Sequence, residues 1–174
     1  MSTGVGIRIA LTVFLVAVFQ VSAFSAITIG GGGPDVLLVV LVSIALLRGA
    51  VTGAVAGFAA GLIVDVATLG TLGLTSLLLT LAGYWAGRYG ETTGRDRAHA
   101  PIVATVTATV FIELGSYGLH SMLGEPVAAR SVLVVLPAAV LWNALLTYPV
   151  FGLVRRLVGT TQRVERSREV ELLV

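Results

Sequence analysis

The chain has 174 residues, 56% hydrophobic and 11% charged, whereas a soluble domain devotes roughly 25% of its residues to charge; an ordinary water-soluble domain is excluded and lipid is the expected solvent. Every basic residue is arginine, and with a net charge of only +2 and no basic stripe interleaved with aromatics there is no footprint for a nucleic acid. Cysteine is absent, which excludes disulfides, thiolate metal sites and a cysteine nucleophile.

A helix crossing a hydrocarbon core of about 30 Å needs about 20 residues, so uncharged intervals locate the spans. Ile9–Ile29 forms the first. Its charged start and Val21-Ser22-Ala23 resemble a signal peptide, but the apolar run exceeds the roughly 7–15 residues of a signal core. Gly30-Gly31-Gly32-Gly33 is a connector, and Pro34-Asp35 opens the second helix: proline suits a first helical position and an acid complements the helix dipole. Val36–Leu47 and Ala50–Val64 are then expected as two short spans joined by a tight turn at Arg48-Gly49, with a re-entrant hairpin as the alternative. The fourth span covers Leu72–Gly87, with Trp85 and Tyr89 beside Arg88 as an interfacial aromatic belt. The fifth, Ala98–Leu123, has Pro101 in its first turn and Glu113 near its middle. The sixth, Ser131–Val154, contains Pro137 and Pro149, each expected to kink it.

Alternate sides of these spans differ sharply in arginine. Arg8, Arg48, Arg88, Arg95, Arg97, Arg155, Arg156, Arg163, Arg166 and Arg168 fall on one side and Arg130 alone on the other. Cytoplasmic loops carry the arginine excess, so the expectation is an all-α integral membrane protein of six transmembrane helices with both termini in the cytoplasm. Its membrane domain covers 1–158, and an Arg/Glu-rich cytoplasmic tail, free to touch lipid or protein, covers 159–174.

The third span repeats glycine at every fourth position, Gly49, Gly53, Gly57 and Gly61, and Asp65 continues the register. Such a face lets another backbone approach closely, either a neighbouring helix of the same chain or a partner. Asp65 sits where the helix dipole disfavours an acid, so exposure at the interface or a hydrogen bond to a neighbouring helix end must compensate. Asp35 reads as a helix-start residue. Glu113 falls near mid-membrane, with Tyr117 one turn on and His120 two turns on, aligning three polar groups. It serves either as a functional intramembrane acid or as a neutral acid pinning helices together. Asn143 needs an amide partner on another helix. No catalytic triad, phosphate loop or metal cluster emerges, so neither enzymatic activity nor a cofactor is expected.

In order and spacing, several of these pieces resemble the bacterial rod shape-determining MreD family. They are Pro34-Asp35-Val36-Leu37-Leu38, Leu46-Leu47-Arg48-Gly49, and Gly57-Phe58-Ala59-Ala60-Gly61-Leu62-Ile63-Val64-Asp65. Leu72-Gly73-Leu74, Leu81-Ala82-Gly83-Tyr84, Trp142-Asn143-Ala144-Leu145-Leu146, Pro149 and Arg155-Arg156 follow. The resemblance implies a non-enzymatic subunit of the lateral wall-synthesis complex in the bacterial plasma membrane. It would work with an MreC-like protein, a RodA-type glycosyltransferase and its transpeptidase partner, above MreB filaments. The six-helix pattern also resembles the substrate-binding subunit of energy-coupling-factor vitamin transporters, for which Glu113, Tyr117 and Asn143 would line a pocket. The first span lacks the Ala-x-x-x-Ala pair with which those subunits engage their partner.

Overall fold

A computed structural model describes residues 3–24, 33–93, 99–124 and 129–159. Within them the chain forms α1 (Thr3–Phe19), continued by a π-helical turn (Gln20–Phe24), then α2 (Val36–Arg48), α3 (Ala50–Thr68), α4 (Leu74–Thr93), α5 (Ala100–Met122) and α6 (Ala129–Val158). Among the described residues, four stretches are long and apolar enough to cross a membrane: Gly4–Ser22, Ala50–Thr68, Ala100–Met122 and Val132–Val158. The tail, past Gly159, lies outside the described residues.

α2 differs from the expected short span. It has 13 residues, a reach of about 20 Å at 1.5 Å per residue, too short for a hydrocarbon core of about 30 Å. Its sequence is apolar on every face, as for a helix surrounded by protein or by lipid, and in the structure Leu37 through Leu47 are all buried within the protein. Ser43, within that run, donates its hydroxyl proton to the Val39 carbonyl at 2.7 Å. The other helices form a ring around α2 in the order α1, α3, α4, α5, α6, and the seam between α6 and α1 is the sparsest.

Gly49 alone links α2 to α3. Its φ of 97° is left-handed backbone that suits glycine, and its N–H caps the Ala45 carbonyl at 2.7 Å. α3 therefore returns directly alongside α2. A Cβ on Gly53 would stand 2.6 Å from that of Ala45.

The glycine face of α3 is filled by α4. A Cβ on Gly53 would lie 2.3 Å from the Gly83 carbonyl oxygen, one on Gly57 2.2 Å from that of Leu79, and one on Gly61 2.2 Å from the Ser76 Cα. From the other side, a Cβ on Gly87 would meet the Ala50 Cα at 2.5 Å. The two backbones touch along nearly their whole length, the close approach that small residues permit in lipid.

α6 runs 30 residues with Pro137 and Pro149 inside it. Near its end, the Arg48 guanidinium donates to the Val158 carbonyl, satisfying one of the carbonyls that a helix C-terminus leaves open. Arg48, Arg88, Arg155 and Arg156 thus gather at one end of the bundle.

Candidate functional site

Because α2 is short, its N-terminus stops inside the bundle. The first N–H groups of a helix have no partner within it, and each unsatisfied one costs several kcal/mol in a lipid interior, on the order of the transfer cost of an amide. Here they are met from three elements. The Asp35 carboxylate accepts from the Leu38 N–H at 2.9 Å. Gln20, in the π-helical turn, accepts from the Val36 N–H at 3.1 Å and donates to the Pro34 carbonyl at 3.1 Å. Asn143 on α6 accepts from the Asp35 N–H at 2.8 Å and donates to the Thr109 hydroxyl on α5 at 3.0 Å. Thr147 donates to the Asn143 carbonyl at 2.6 Å, and Thr109 to that of Thr105 at 2.9 Å. Asn143, Thr109 and Thr147 are all buried.

Depth along the helices agrees. Asp35 lies 13 residues from Arg48, and Asn143 lies 15 from Val158, so both stand about 20 Å from the arginine end. Glu113 is one turn beyond Thr109 on α5 and within electrostatic range of Asp35. Tyr117 and His120 continue toward the opposite end, where His120 Nδ1 lies 2.8 Å from the Ser116 carbonyl oxygen. Asp35, Glu113 and Asn143 are therefore brought together, whereas Tyr117 and His120 stand beyond them.

Asp65 belongs elsewhere. It is 2% exposed, and its carboxylate accepts from the N–H groups of Gly73 at 2.8 Å, Thr75 at 3.2 Å and Ser76 at 3.3 Å. The unfavourable position at the end of α3 is compensated because the acid faces the start of α4, where a helix dipole favours negative charge. At the other end of this pair the relation is reversed. Gly49 has no side chain to cap α3, and Glu91 of α4 accepts from the Ala50 N–H at 2.9 Å while pairing with Arg88 at 3.1 Å. Each helix of the pair supplies an acid to the start of the other.

Gln20, Thr109, Thr147 and Glu91 escape sequence reasoning. Gln20 had a signal: an amide inside an apolar run needs a partner as Asn143 does. The threonines had none, since their hydroxyls can return to the carbonyl one turn back on their own helix.

Two apolar grooves open on the outside of the ring. One, of about 540 Å³, lies between α1 and α3 beside Val13, Val55 and Ala59. The other, of about 390 Å³, lies between α4 and α5 beside Trp85, Thr107 and Phe111. Neither is lined by Glu113, Tyr117 or Asn143. Among the described residues no group of three or more His, Cys, Asp or Glu is placed to hold a metal.

Apolar helices long enough to cross a bilayer, with buried polar groups spent on helix ends, define a multi-pass helical membrane protein. The chain belongs to a family of such proteins concerned with cell shape: the family model of the rod shape-determining protein MreD matches residues 2–158. No curated protein and no solved structure matches it.

Proposed function

We propose that this protein is a non-enzymatic scaffold subunit of the cell-elongation complex in the bacterial plasma membrane, where it helps to organise peptidoglycan synthesis. The family match over residues 2–158 carries this reading. Its partners are an MreC-like membrane protein and, with it, a RodA-type glycosyltransferase and its transpeptidase, with MreB filaments coupled indirectly beneath. Both termini lie in the cytoplasm, since the arginine-rich end takes the side where positive charge is retained.

The way the polar groups are used favours a scaffold. Asp65, Glu91, Gln20 and Asn143 each hold a helix start, giving a rigid body with shaped outer faces. The test combines depletion of the chromosomal copy with pull-down of tagged protein. Wild type is expected to restore rod shape and retain the MreC-like protein through purification. Normal rods in a deletion strain, or saturable binding of a vitamin by purified protein, would overturn the proposal.

A further inference from the structure

Burial along α5 ends at Thr109, and on α6 none of residues 132–138 is buried. Both limits fall where α2 stops, because the Asp35 N–H is bonded to Asn143, and Asn143 to Thr109. Beyond that level the central helix no longer covers its neighbours. This stretch of α5 carries Glu113, Ser116, Tyr117 and His120, all half-buried, at spacings of three and four, which align them on one flank.

Nothing among the described residues answers Glu113. No hydrogen-bond donor among them reaches it, and the ionisable group nearest to hand, Asp35, is itself an acid. The adjoining stretch of α6, Val132–Ala139, has only apolar side chains, and segment 25–32 holds no basic residue. Arg48 stands 13 residues along α2 from Asp35, about 20 Å away. Arg130 precedes Asn143 by the same number of residues, which leaves it more than about two helical turns beyond the level of Glu113. An intramembrane acid pairs with another ionisable group or faces a water-filled cavity, and the described residues bring Glu113 no cation.

We propose that the outer halves of α5 and α6 form a lateral docking surface for one transmembrane helix of a partner that carries an arginine or lysine at the depth of Glu113, with the Tyr117 hydroxyl as a second contact. The surface deepens the scaffold reading and rests on it, because it needs a partner that spans the membrane. Charge complementarity selects the occupant: a wholly apolar helix leaves the acid unanswered, and a basic one neutralises it without desolvating a second unpaired group.

The probe is a labelled leucine-alanine transmembrane peptide bearing one arginine at that depth, compared with its all-apolar parent. Binding to full-length protein in lipid vesicles is followed by energy transfer. The arginine peptide is expected to bind wild type at least tenfold more tightly than the parent, and Glu113→Gln, which keeps size and hydrogen bonding, is expected to abolish that preference. Tyr117→Phe should reduce it several-fold. Equal binding of the two peptides, or an arginine preference that survives Glu113→Gln, would overturn the inference. Pull-down of the MreC-like protein with wild type separates the two readings: retention without peptide discrimination sinks the docking surface alone, and loss of retention sinks the scaffold.

Discussion

Gly57→Ala adds one methyl group to one of the tightest points of the α3–α4 contact. Its Cβ would stand 2.2 Å from the Leu79 carbonyl oxygen, 2.6 Å from the carbonyl carbon and 3.0 Å from the Thr80 nitrogen, where ordinary contact begins at 3.4 Å. All three atoms are backbone, so no rotamer relieves the clash and α4 must retreat by about 1 Å. A gap of that size forfeits up to half of each atom pair's attraction of about 0.1–0.2 kcal/mol. Across the few tens of pairs along this face the loss comes to about 2–3 kcal/mol, in the range found for overpacked cores. Gly118 and Gly152 are also helical, and a methyl group at either would have nothing within 4 Å. Alanine there should be neutral or stabilising by up to about 1 kcal/mol through helix propensity. The same chemical change is thus expected to have opposite signs. Reversible unfolding in mixed detergent micelles measures both, and a Gly57→Ala stability within about 0.5 kcal/mol of Gly152→Ala would refute the close approach.

Other substitutions probe the capped ends. Asp65→Ala leaves three N–H groups at the start of α4 without their acceptor, so a loss of about 3 kcal/mol is expected, with Asn in between because it keeps one oxygen; equal stability of the two variants in the same unfolding assay would argue against the cap. Gln20→Leu and Asn143→Leu each remove an acceptor from neighbouring N–H groups of one helix start. Each should cost about 1–2 kcal/mol, and a double-mutant cycle should show coupling of about 0.5 kcal/mol or more. Strict additivity would mean that they do not hold a common element. Glu91→Ala, at the exposed end of the hairpin, should cost about 1 kcal/mol or less, and a larger loss would contradict its half-exposed setting.

Much of the bundle is legible in the chain. Gaps between charges locate the helices, and the tight turn at Arg48-Gly49 follows from the positions of a basic last-turn residue and a glycine. The role of α2 is not legible, because hydropathy registers removal from water and cannot tell lipid from protein as the surroundings. A helix with eleven apolar residues out of thirteen reads the same whether it faces acyl chains or five other helices. The glycine repeat indicates close approach but does not name the helix that approaches; α4 is identified only by geometry. Asn143 announces a need for a partner, yet that partner is a backbone N–H more than 100 residues away, beyond any local pattern. Asp65 and Glu91 are separated by a full hairpin, so their reciprocal service to α3 and α4 appears only once the two helices are laid side by side.

The central structural claim is that the bundle is organised around a helix that stops inside it. α2 and α3 leave the same turn at Gly49, and α3 is six residues longer, so their far ends should differ in depth by about 9 Å. The absence of cysteine allows a single spin label at Val36→Cys or at Thr68→Cys in lipid vesicles, with depth read from the balance of oxygen and water-soluble relaxants. The account predicts a label at 36 roughly 9 Å deeper than one at 68, which should sit at the membrane surface. Labels at equal depth would contradict it.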